Sequence, residues 1–149
     1  MKKWLFITAL TFCGLANAQQ VVNWQQLAKV SWYSAYIPSM GGTYKLPKFS
    51  KEVIALDGKS IVIRGFYVPI DIDAKMFALS ANPSNMCFFC NGAGPETVME
   101  IWTKSGETYF KYLRTDKYIE LKGTLKVNKA DPNHMMYILR NAELLKKIK

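Results

Sequence analysis

Ser60-Ile61-Val62-Ile63-Arg64-Gly65-Phe66-Tyr67-Val68 is the stretch on which the fold turns. Ile61, Ile63 and Phe66 alternate with Val62 and Arg64, the period of a strand with one buried face. Gly65 interrupts it, and a glycine inside a strand marks a bulge or a sharp bend. Pro69 ends the run, because proline cannot donate to a sheet ladder. Before it, Glu52–Leu56 is expected to be a strand that turns back through Asp57-Gly58, where glycine accepts a positive φ. Downstream, Tyr118–Val127 repeats the pattern at greater length. Ile119, Leu121, Gly123, Leu125 and Val127 share one face, with Gly123 again where a strand must bend. Met76–Leu79, Thr97–Trp102, Thr108–Tyr112 and Met135–Leu139 read as shorter strands, with Lys104-Ser105-Gly106 as a turn. The tail from Asn141 reads as a short helix or a last strand end.

Long strands, each broken by a single glycine, suit a sheet that curls on itself and leaves no exposed edge. The fold class expected is therefore all-β with a short N-terminal helix: a small OB-like closed barrel of five or six strands, with a β-sandwich as the alternative. The barrel should occupy residues 51–149. Residues 19–50 form a lead-in in which Val21, Trp24, Leu27 and Val30 recur near helical spacing, so Trp24 and Leu27 should pack on the main body. From Ser31 to Phe49 the aromatics, Pro38, Pro47 and Gly41-Gly42 predict no long regular element.

Residues 1–18 have the three parts of a secretory signal. Lys2 and Lys3 precede an uncharged apolar run, Trp4 to Leu15, and Ala16-Asn17-Ala18 offers small residues for cleavage before Gln19. The run is too short to cross a bilayer as a stable helix. Phe12 is bulky where lipoprotein processing wants a small residue before the cysteine, so Cys13 belongs to the discarded peptide and no lipid anchor is expected. The mature chain would hold 131 residues (149 − 18), enough for one core. Its formal charge would be +7, from +9 less Lys2 and Lys3. The lysines are scattered rather than blocked, which describes a solvated surface. With export, that argues against nucleic acid as a partner.

The chemical segment is Met86-Cys87-Phe88-Phe89-Cys90-Asn91-Gly92-Ala93-Gly94-Pro95-Glu96. Two thiols three residues apart can grip one metal ion in a tight knuckle. A redox pair needs a lowered thiolate pKa, usually from a helix that begins at the first cysteine, and Gly92, Gly94 and Pro95 argue against one. A plain disulfide remains open, since the chain leaves the cytosol. Further metal ligands are scarce. His134, in Asp131-Pro132-Asn133-His134-Met135-Met136, is the single histidine, and Glu96 offers a fourth, oxygen ligand. Two sulfurs and an imidazole suit soft or borderline ions, Zn2+ first and Cu+ second. The methionines beside Cys87 and His134 keep copper in view, whereas Met76 and Met99 are expected to fill the core. The segments 86–96 and 131–136 both precede strands, and loops at one end of a small barrel cluster.

Three groups of residues resemble a family of short exported bacterial proteins of unknown function, often labelled predicted lipoproteins. They are Cys87-Phe88-Phe89-Cys90 with Gly92-Ala93-Gly94-Pro95-Glu96; Leu56-Asp57-Gly58-Lys59 with Gly65-Phe66-Tyr67-Val68-Pro69; and Asp131-Pro132-Asn133-His134 before a Tyr-Ile-Leu strand. The likeness covers roughly residues 50–143. It implies export and one compact OB-like domain, and it implies no activity.

The functional expectation is a periplasmic, non-enzymatic metal-binding module with Cys87, Cys90 and His134 as ligands and Glu96 as the fourth. Its partners would be the metal ion and an envelope protein or transporter component. The rival is an envelope protein-interaction domain whose Cys87–Cys90 pair is a structural disulfide. A thiol-disulfide oxidoreductase ranks last. One histidine, no nucleophile-elbow serine and no HExxH leave no hydrolase constellation.

Overall fold

A computed structural model describes residues 19–73, 75–84 and 94–148. The signal peptide expected at 1–18, with Cys13, lies outside the described residues, and so do Cys87 and Cys90.

Ten elements follow in chain order. They are β1 (Gln20–Val21), α1 (Trp24–Leu27), β2 (Val30–Ile37), β3 (Gly42–Phe49), α2 (Lys51–Ala55), β4 (Ser60–Asp71), β5 (Met76–Ser80), β6 (Val98–Thr103), β7 (Tyr118–Val127) and β8 (Tyr137–Lys147). Five strands close a barrel in the order β4-β5-β6-β8-β7, with β7 pairing back onto β4. Every neighbouring pair is antiparallel except β6 and β8, which run parallel. This is the OB-like closed barrel expected from the strand pattern.

The closure depends on one long strand serving two partners. In β4, residues Ser60–Phe66 pair with β7 and residues Phe66–Asp71 pair with β5. Gly65 stands at that hand-over, where an added Cβ would lie 2.6 Å from the Ser80 carbonyl oxygen. Gly123 lies within the shift of register between β7 and β8. Gly123 therefore falls at an irregularity of the kind the sequence pattern expects, whereas Gly65 pairs in regular register where β4 changes partner.

The inward faces supply the core. Ile61, Ile63 and Tyr67 of β4 meet Phe77 and Leu79, Met99 and Ile101, Ile119, Leu121 and Leu125, and Tyr137 and Leu139 of the other strands. Leu27 of α1 and Phe110 are also fully buried, each beside an anchoring hydroxyl. Tyr137 Oη donates to the Leu27 carbonyl, and Tyr67 Oη donates to the Phe110 carbonyl, both at 2.6 Å. A helix end leaves carbonyls without an intrahelical partner, and Tyr137 satisfies one of them for α1. Trp24 packs against the core as expected, with its indole N–H bonded to the Arg64 carbonyl at 2.8 Å.

Four local expectations are corrected. Residues 51–55 form the helix α2 rather than a strand, because the Ser50 hydroxyl accepts from the Val53 N–H as an N-cap. Tyr109–Tyr112 is a 3-10 turn that buries Phe110, not a strand. Residues 31–49, expected to hold no long element, lie in a regular hairpin in which β2 and β3 pair from Val30↔Phe49 to Ile37↔Gly42. Pro38 opens a 3-10 turn at its tip and Gly41 closes it at φ +65°. Pro47 is tolerated because the hairpin is two-stranded and each strand has one free edge. Met99 fills the core as expected, but Met76, the first residue of β5, is 46 % exposed. The tail from Tyr137 continues as one strand to Lys147. Among the described residues, no helix is long and apolar enough to cross a membrane.

Candidate functional site

The parallel pairing of β6 and β8 fixes the geometry of the site. Adjacent parallel strands begin at the same end of a barrel, and Glu100↔Ile138 sets their register. The turn Pro95–Thr97 before β6, which carries Glu96, and the loop before β8, which carries His134, therefore open on one end. Pro95 and His134 line the same groove there.

His134 is held from several sides. Its Nδ1 lies 3.0 Å from Glu100 Oε2 and 3.2 Å from Oε1. A carboxylate only accepts, so this contact places the neutral ring's proton on Nδ1 and its lone pair on Nε2. Glu100 is only 13 % exposed at its side chain. It also accepts from the Trp102 indole N–H at 2.6 Å and from the Met135 N–H at 3.4 Å. The imidazole meets the Trp102 ring edge-on at 5.3 Å, and the Arg140 guanidinium lies 5.1 Å from that ring's centre. Asp131 Oδ2 stands 4.0 Å from Nε2.

Asn128 shapes the loop itself. Its amide nitrogen donates to the carbonyls of Asp131, His134 and Met135, and its oxygen accepts from the N–H groups of Ala130 and Asp131. One side chain thus stands in for the ladder that a loop lacks.

Glu96 sits in the 3-10 turn Pro95–Thr97, which is tied by the Thr97 N–H and hydroxyl to the Gly94 carbonyl. Its carboxylate curls over Gly94, in the space a Cβ there would need. Oε2 is buried without a hydrogen-bond partner among the described residues. Its charge helps to raise the pKa of Tyr137, after the larger effect of burial.

Of the expected ligands, the structure describes His134 and Glu96, on neighbouring loops at one end. Cys87 and Cys90 lie outside the described residues. Among the described residues, no three of His, Cys, Asp and Glu gather closely enough to hold a metal ion. The sequence reading missed Glu100, Trp102 and Asn128. Glu100 had one signal, a carboxylate in an apolar strand, Val98-Met99-Glu100-Ile101-Trp102. No family model matches this chain, and neither a curated protein nor a solved structure does.

Proposed function

We propose that this protein is an exported, non-enzymatic metal-binding module of the periplasm. Cys87, Cys90 and His134 are its ligands, with Glu96 as the oxygen ligand. The observation that carries the reading is the shared barrel end, where the strand following the CxxC segment and the strand following His134 start side by side. Two further features support it. A metal-bound histidine usually gives its other ring N–H to a carboxylate, and Glu100 stands at Nδ1 in that role. Glu96 Oε2 is a buried acceptor with no hydrogen-bond partner among the described residues. Zn2+ is the first choice, since thiolates and imidazole bind it without redox chemistry, and Cu+ is the second.

Chelator competition on the reduced chain tests the ligand set. Cys87→Ser, Cys90→Ser and His134→Ala should each weaken affinity at least about tenfold, on the order of 1.4 kcal/mol. Glu100→Gln should cost roughly tenfold by disturbing the ring's orientation. Under the rival reading, an envelope interaction domain with a Cys87–Cys90 disulfide, His134→Ala and Glu100→Gln change nothing in metal binding. That rival draws on the hairpin, where Tyr33 and Tyr36 are 50 % and 65 % exposed.

A further inference from the structure

The hairpin β2–β3 and the loop 128–136 enclose a groove of about 460 Å³, within the range of small-molecule sites. Its walls are apolar: Trp32, Met40 and Tyr44 from the hairpin side, with Pro95, Pro132 and Met136 opposite. The three hairpin side chains remain between 38 % and 44 % exposed. They are large surfaces left unburied, next to a barrel that buries its other inward aromatics completely.

Two lysines stand against one acid in the described lining of the groove. Lys45 from β3 and Lys129 from the loop both line it. Neither makes an ion pair or a side-chain hydrogen bond among the described residues. The one acidic lining residue, Asp131, is already engaged. Its Oδ1 accepts from the backbone and side-chain N–H of Asn133, and Oδ2 lies toward His134. Asn128 has spent its amide on the loop's own carbonyls. The hairpin strands β2 and β3 carry no Asp or Glu, so no acid of the hairpin offsets Lys45.

We propose that this groove binds a small aromatic carboxylate. Trp32, beside Lys45 on one face of the hairpin by register, offers apolar surface to an aromatic body. Lys45 and Lys129 offer its anion two ammonium groups that have no ion-pair partner among the described residues. Their charges also select against a neutral ligand of the same shape, because only the anion can satisfy them.

The test uses 2-naphthoate and its neutral isostere 2-naphthamide, titrated calorimetrically into the mature chain with EDTA present. The chelator separates this site from the metal proposal, since binding then cannot run through an ion. Expected is one naphthoate per chain, with the amide at least tenfold weaker. The double variant Lys45→Met/Lys129→Met should erase that preference. Trp32→Ala should weaken both compounds tenfold or more, whereas Tyr33→Ala, at a residue that does not line the groove, should change neither. Amide shift changes in the parent chain, confined to residues 30–47 and 128–136, keep the test valid should Trp32→Ala misfold. The proposal is overturned by no naphthoate binding, by equal binding of the two compounds, or by shifts elsewhere. It is overturned equally by a self-association that buries the groove and that naphthoate leaves unchanged.

Discussion

Gly65→Ala should destabilise the domain by about 3 kcal/mol, and Gly123→Ala should do much the same. Neither glycine is needed for a left-handed φ. Each is needed because a strand passes too close for a side chain. A Cβ on Gly65 would meet the Ser80 carbonyl oxygen at 2.6 Å and Leu79 Cγ at 2.8 Å. On Gly123 it would meet Leu139 Cγ at 2.7 Å and the Arg140 carbonyl oxygen at 2.8 Å. A flexible side-chain tip could move aside, but these carbonyls belong to the strands of the barrel wall. Shifting them breaks Phe66↔Ser80 pairing at one site and Thr124↔Arg140 pairing at the other. A branched residue is worse, so Gly123→Val should exceed Gly123→Ala. Gly42→Ala is the control, since its nearest neighbour is the Tyr44 ring at 3.4 Å, and it should stay within about 0.5 kcal/mol. Urea unfolding of the three alanine variants decides the matter. A Gly65→Ala midpoint equal to the parent's would mean that β5 leaves room for a Cβ at Gly65 and that the close approach does not limit stability.

Tyr137→Ala should cost roughly 4 kcal/mol, the range for truncating a buried aromatic. The ring is fully buried and meets Phe49 edge-on at 5.8 Å. Tyr137→Phe keeps the packing and removes only the hydroxyl, leaving the Leu27 carbonyl unpaired, at a cost of about 1–2 kcal/mol. The difference between the two variants separates core packing from the anchoring of α1. The hydroxyls also give stability a pH dependence at the alkaline side. Burial pushes Tyr67 up to about 12 from an ordinary value of 10.0, and Tyr137 is raised too, by burial and then by Glu96. A pKa raised by folding means that the unfolded chain ionises first. The stabilisation is whole below pH 10 and drains away as pH rises toward 12. Unfolding midpoints should therefore fall steeply between pH 10 and 12, and Tyr67→Phe should flatten that fall.

The barrel was legible because its strands obey one local rule. In β7 every second residue is buried, from Ile119 to Val127, and the glycine that breaks the apolar face is the one at the bend. The misreadings come from places where tertiary packing outweighs propensity. Val53 and Ile54 look like strand residues, yet one serine hydroxyl at position 50 starts a helix there. The hairpin at 30–49 hid behind two prolines and two glycines that proved to sit at its tip and at a free edge. The site was legible only in part. His134 stood out as a lone imidazole before a strand, and the parallel neighbours β6 and β8 carry it to the end where Pro95 lies. Glu100 could not be paired with it from sequence, because 34 residues separate them and only the strand register brings them together.

The most direct measurement is metal content with coordination shell. The protein, expressed from the full chain and purified without reductant or chelator, is analysed for metal per chain, for free thiols, and by X-ray absorption at the metal edge. The account predicts one ion per chain, Zn2+ first, with two sulfurs near 2.3 Å and one nitrogen near 2.0–2.1 Å, and the nitrogen lost in His134→Ala. A chain that carries no metal and holds Cys87 and Cys90 as an intramolecular disulfide would contradict it.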